Sequence, residues 1–287
     1  MRGLADSRPI GSPRFAQSST RPRPSSSGQR ITPSARHRAV EAMIQLIGID
    51  CATDPAKIGV ARGQLRQGRV EVLAAQLVGK GGDPADVVSQ WVAAHDGPSL
   101  LAVDAPLGWP AGLGAALAGH RAGAPLAGEA NQLFRRETDR VVHERLGKLP
   151  LDVGADRIAR TALAALQMLQ RVRLQCGLEI PMAWTPEDIA PVAAIEVYPA
   201  GTLVGRGVIS SGYKLAADRG VRDAMLAALA DELVGGTHRA VLLQHADVLD
   251  ASLCLLAGAD FLRGTVLQPD HPDRARQEGW IWVRPPS

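Results

Sequence analysis

The sequence predicts an α/β fold, with a mixed five-stranded sheet flanked by helices and a helical insert at about 105–190. Three observations point there: apolar runs of four to six residues punctuated by turn residues near the start, two later runs of the same kind, and long helical patterns between and after them. The first run, Gln45–Asp50, is followed by a turn at Thr53 to Pro55, a second run at Lys57–Arg62, the Gln67-Gly68 turn and a third run at Arg69–Leu73, and reads as three antiparallel strands. Asp83 and Pro84 supply an N-cap and a first-turn proline for a helix through about His95, with Val87, Val88, Trp91 and Val92 on one face. Ser99–Asp104 is the fourth strand, stopped before Pro106. The insert carries mostly helical patterns, including an Ala/Leu-rich run from Ala155 to Gln175, and Val192–Tyr198 is the fifth strand, ended by Pro199. Helices follow at about 218–234 and 245–263, and Trp280–Val283 reads as a short last strand.

The 287 residues are 46% hydrophobic and 21% charged, which excludes collagen-like, coiled-coil and wholly disordered chains. A net charge of +3 suggests a nucleic-acid or membrane-surface partner. Its placement says more. Residues 1–42 are rich in Ser, Pro and Arg and carry +6, so the remainder is mildly acidic at −3. That first segment lacks periodic apolar residues and is expected to be disordered; its composition resembles an organellar transit segment, or a start assigned upstream of Met43. A single domain is expected over 43–287.

Cys51, Cys176 and Cys254 lack metal-ligand or disulfide spacing, and a reducing cytoplasm fits them best. No apolar run is long enough to span a bilayer and no secretory apolar segment is present, so a soluble, cytoplasmic protein without a membrane partner is expected.

Acids appear where strands and a buried helix ordinarily exclude them. Asp50, Asp104 and Glu196 end or close strands of apolar residues, and strand ends converge in layered α/β folds. The helix at 245–263 is apolar nearly all round after its first turn, yet carries Asp247 and Asp250 one turn apart on the face that continues through Cys254, Ala257 and Phe261. Each acid taken alone has a plainer reading, as a turn former, a loop cap, an edge residue or a helix-dipole partner. Two carboxylates on a packing face repel, and a dipole benefit of about 0.3 to 1 kcal/mol does not offset their desolvation. A shared cation would. Hard divalent ions such as Mg²⁺ or Mn²⁺ take oxygen ligands, and a pair of them clamps the attacking and leaving oxygens of a phosphodiester displacement. Asp50, Asp104, Asp247 and Asp250 are therefore the candidate catalytic and metal-binding acids, with Glu196 a further ligand or a group tuning them.

The order of these elements and acids resembles the RNase H-like superfamily, and the Asp247–Ala251 pattern of the last helix resembles its Holliday-junction-resolvase branch. More closely, residues 45–284 resemble the DUF429 family of predicted RNase H-like nucleases. The stretches that carry the likeness are Gly48–Asp50, Val103–Gly108, Arg136–Asp139, Ile195–Pro199, Tyr213-Lys214 with Arg219 and Arg222, Asp247–Ala251 and Glu278–Trp282. The resemblance implies an RNase H-like fold and a nuclease activity. One departure is Tyr198-Pro199-Ala200, where the family is expected to carry a His before the Pro and an acid after it.

Residues 131–173 carry nine basic and five acidic side chains, which makes the insert the best phosphate-facing surface. Arg136, Asp139, Lys214 and Arg222 are the candidate substrate-binding residues, the plainer reading being a solvated face with internal ion pairs. Gly207–Lys214 misses the P-loop pattern, because its Lys is displaced and no Ser or Thr follows. With 3% aromatic residues a stacking platform for single strands is not expected, and a duplex or structured nucleic acid is the expected partner. The resulting expectation is a nuclease using a two-metal mechanism. The alternatives are a phosphotransferase or ATPase of the sugar-kinase and actin type, with Thr53 near phosphate, and a non-catalytic domain whose acidic pocket binds a metal or a partner.

Overall fold

The computed structural model describes residues 44–154 and 156–286, so the Ser/Pro/Arg-rich segment 1–42 lies outside the described residues. Three antiparallel strands, β1 (Gln45–Asp50), β2 (Gly59–Arg66) and β3 (Arg69–Leu77), are joined on the β1 side by the parallel strands β4 (Ser99–Asp104) and β5 (Val192–Glu196). A two-residue strand, β6 (Leu233–Val234), pairs parallel with β3 at the far edge, giving a mixed six-stranded sheet in the order β5-β4-β1-β2-β3-β6.

Helices lie on both faces, as the two-residue period of the strands requires. Leu46, Leu100, Ala102 and Ile195 pack in the layer that contains α7 (Arg219–Ala228), α8 (Arg239–Gln244) and α9 (Ala246–Leu262). Ile47, Ile49, Leu101 and Val103 pack in the opposite layer against α1 (Pro84–Ala93) and α5 (Asp156–Cys176). Asp83 caps α1 as its sequence position suggests, accepting a hydrogen bond from Ala85 N at 2.9 Å. The insert between β4 and β5 is helical, with α2 (Ala111–Leu117), α3 (Ala130–Phe134), α4 (Glu137–Leu146) and α5. Two short helices, α6 (Pro199–Val204) and α10 (Pro272–Glu278), complete the described residues. No helix among them is long and apolar enough to cross a membrane.

Three expectations about elements need correction. The helix expected over 218–234 ends at Ala228, because Asp231 and Glu232 at its carboxyl end would oppose the helix dipole; they pair instead with Arg69 and Arg206, and Leu233 turns into the sheet. The sheet therefore has six strands rather than five. Trp280–Val283 forms only a bridge between Ile281 and Glu196, since Trp280 and Trp282 bury their rings and Val283 O accepts from Leu267 N in a neighbouring loop. The fifth strand stops at Glu196, two residues early, because Pro199 opens α6.

Every residue of α9 is buried except Asp247, and its backbone lies directly on the sheet. Two glycines permit that approach: a Cβ on Gly48 of β1 would stand 1.9 Å from the Ala251 carbonyl oxygen, and one on Gly59 of β2 would stand 2.0 Å from that of Asp247. Gly48→Ala must lift the helix from the strands and is expected to cost about 1–3 kcal/mol or more, read as a lowered urea midpoint. An unchanged midpoint would show that the helix is not seated as described.

Candidate active site

β1 and β4 run parallel and in register, so Asp50 and Asp104 are direct Cα partners at the carboxyl ends of neighbouring strands. α9 approaches the same end of the sheet from residue 246 onward. Its first turns deliver Asp247, half-buried, and Asp250, fully buried.

The environment concentrates negative charge. Burial pushes the Asp50 carboxyl well above the usual range, Asp104 beside it pushes it further, Lys214 opposes this and Asp247 adds to it. Asp104 is pushed up to about 7, again first by burial, with Lys214 pulling down and Glu196 pushing up. Both keep a little accessible surface although protein surrounds them on nearly every side. Burial also raises the Cys51 and Cys254 thiols, and the two acids raise them further, so neither cysteine is a ready nucleophile. The Tyr198 hydroxyl is pushed up to about 12 by burial and by Asp104, and remains a hydrogen-bond donor at neutral pH.

Asp250 is held differently. Tyr213 Oη donates to its Oδ1 at 2.8 Å, and Lys214 Nζ donates to its Oδ2. The segment carrying these two donors is fixed by Arg222, a buried side chain whose guanidinium donates to the carbonyl oxygens of Tyr213 (2.5 Å), Leu215 (2.7 Å) and Leu243 (2.7 Å).

Glu196 lies opposite Val103 in the β4–β5 register, one step back from the Asp50–Asp104 line. Its carboxylate goes to Arg136, which donates to Oε1 and Oε2 at 2.7 and 2.8 Å and to both oxygens of Asp139 at 2.9 and 3.1 Å. Arg136 is 1% exposed. Glu196 Oε2 also accepts from Leu107 N at 2.9 Å and so fixes the loop that follows Asp104. Glu278 does similar work nearby, accepting from Ala111 N and Glu137 N at the starts of α2 and α4.

Of the residues singled out from the sequence, Asp50, Asp104, Asp247, Asp250 and Lys214 come together at one end of the sheet. Four others have different occupations. Glu196 is the partner of a buried guanidinium rather than a free metal ligand, and Asp139 is the second partner of that guanidinium. Arg136 and Arg222 bury their charge on these acids and on backbone carbonyls, so neither offers an open face to phosphate. Tyr198 and Tyr213 are the residues near the acids that sequence reasoning left without a role; their one signal was adjacency to Pro199 and Lys214 in the matching stretches.

A cleft of about 210 Å³ opens beside Asp104, with Cys51, Tyr198, Leu151 and Ile158 among its walls. A second, of about 270 Å³, lies on the other side of Cys51 and reaches Thr53 and Arg171. Among the described residues no three His, Cys, Asp or Glu side chains are grouped closely enough to hold a metal ion by themselves. The Asp50–Asp104 pair nevertheless suits a hard cation, because Mg²⁺ is commonly held by one or two carboxylates, with water and substrate phosphate filling its shell.

A family model described as "Protein of unknown function (DUF429)" matches residues 48–274. No curated protein matches the chain.

Proposed function

The chain belongs to the DUF429 family, and from that premise and the paired aspartates we propose that it is a divalent-metal-dependent phosphodiesterase of RNase H-like fold, acting on nucleic acid. The observation that carries the reading is the register of Asp50 with Asp104, two carboxylates brought together at adjacent strand ends and both driven toward the protonated form first by burial, with Asp104 adding to the effect on Asp50 and Glu196 to that on Asp104. Buried carboxyls in structural ion pairs are raised as well, Glu196 beside Arg136 and Asp260 beside Arg206 among them. What sets Asp50 and Asp104 apart is that two such acids adjoin each other, one of them lining a cleft, an arrangement that a cation would relieve.

The sheet order supports the fold part of the proposal. A three-stranded hairpin unit carries Asp50, the next parallel strand carries Asp104, and a late helix brings Asp247 and Asp250 over both. Asp50 and Asp104 would hold Mg²⁺ or Mn²⁺, with Asp247 beside them. A bound divalent ion supplies positive charge to a phosphoryl oxygen and lowers the pKa of a bound water. Asp250 orients Tyr213 and Lys214, and Lys214 directs its charge at the two strand-end acids. Tyr198, still protonated, offers its hydroxyl in the cleft beside Asp104.

The test is cleavage of a panel of single-stranded, duplex and branched DNA and RNA with Mg²⁺ or Mn²⁺, and with chelator. Even indirect disturbance of a metal ligand costs 10–100-fold, so Asp104→Asn is expected to lose about a hundredfold or more. Equal cleavage by the variant, or none by the wild type on any substrate, sinks the proposal. Ion binding without cleavage would instead establish the non-catalytic alternative.

A further inference from the structure

Asp250 is the least available of the four acids. It is fully buried, and each of its oxygens already accepts a hydrogen bond, one from Tyr213 and one from Lys214. Each oxygen keeps a second lone pair, but a two-ion clamp would bring a second dication against the ammonium group that already pairs with this carboxylate. The lysine is also well anchored. The carbonyl oxygens of its two chain neighbours, Tyr213 and Leu215, both accept from the buried Arg222 guanidinium, while the Tyr213 side chain reaches the same carboxylate as Lys214. Its side chain enters from the solvent side, 55% exposed, and its ammonium lies near enough to Asp50 and Asp104 to pull both carboxyls down.

We propose that Lys214 is the second cation of the site, its ammonium occupying the place between Asp250 and the Asp50–Asp104 pair, so that the protein binds one divalent ion and not two. The inference rests on the metal-dependent reading above and replaces the two-ion arrangement expected from the sequence. An ammonium is a compact, strongly hydrated point charge that a four-carbon stem can deliver to a site the backbone does not reach, which suits it to stand in for a metal ion. Arg222 and Tyr213 are then positioning residues: they hold the lysine, and Asp250 receives it.

Titration with Mn²⁺, counting bound ions by electron paramagnetic resonance, separates the possibilities. The wild type is expected to bind one Mn²⁺ per chain. Lys214→Ala removes the ammonium from Asp250 and is expected to bind two, whereas Lys214→Arg, which keeps the charge, remains at one. Two ions in the wild type overturn the inference and leave the metal-dependent reading intact. So does a Lys214→Ala protein that folds and still binds one ion with unchanged affinity. No Mn²⁺ bound by wild type or variant overturns the metal-dependent reading itself. If Lys214→Ala does not fold, the wild-type count and that of Lys214→Arg decide the matter.

Discussion

Arg136→Ala is expected to destabilise the protein by about 3–5 kcal/mol, enough to unfold much of the population at moderate urea. The guanidinium forms a paired fork with Glu196 and a second with Asp139, and all three side chains are buried. Removing it leaves two carboxylates in a dry site with nothing to neutralise them. The size of the loss comes from that abandonment more than from the strength of the original pairs, so neutralising the two acids as well should recover much of it. Arg136→Met combined with Glu196→Gln and Asp139→Asn is expected to melt well above Arg136→Ala, because no charge then remains to be desolvated. Arg136→Lys should fall between, since an ammonium cannot present two parallel donors to each acid. Denaturant curves on these variants provide the check, and a loss below about 1 kcal/mol for Arg136→Ala would contradict the role assigned to the network. A marked loss would also reach the site, because Glu196 holds the backbone of Leu107 just beyond Asp104.

Asp104→Asn is expected to do the opposite, stabilising the ion-free protein while removing the proposed activity. The unfolded chain ionises this carboxyl near 3.8, whereas the fold keeps it protonated up to about 7. Between those values unfolding releases a proton, so rising pH favours the unfolded chain and stability falls across this window, levelling off above pH 7. The accumulated penalty at pH 8 is roughly 2–4 kcal/mol, less at the lower end because the carboxyl is not wholly sealed from water. The amide carries no charge at any of these pH values. Its advantage in melting temperature should therefore be large at pH 8 and nearly absent at pH 4. Added Mg²⁺ should raise the wild-type melting temperature at pH 8 and leave the variant little changed. A variant no more stable than the wild type at pH 8 would mean that the paired acids are not under strain.

The local part of this molecule was legible because its signals are local. Gln45–Asp50 and Ser99–Asp104 are bounded by turn residues and emerge as strands with those limits, and the apolar circumference of the 245–263 segment foretold a buried helix. What was hidden depends on partners distant in the chain. Leu233 and Val234 form a strand only because Val70 and Glu71 lie beside them. Arg136 and Asp139 have the spacing of a solvated helix face, and nothing nearby reveals that Glu196, sixty residues on, converts that face into a buried charge network. The acids of the site were found because carboxylates among apolar residues are anomalous in any context. Lys214 carries no such anomaly as a half-exposed lysine, so the sequence marked it only as a candidate phosphate contact and not as the partner of Asp250.

The seating of α9 on the strands also governs when the site comes into being. Ile49 and Cys254 touch across 205 residues of chain, and the acids on either side of that contact share its separation. Closing so long a loop is entropically costly and is repaid only when many contacts form together, which places it late among folding events. Pairing of β1 with β4 already brings Asp50 to Asp104. The covering that buries them and the added charge of Asp247 arrive only with α9, so a partly folded intermediate would be spared most of the penalty and would also lack the assembled acid cluster.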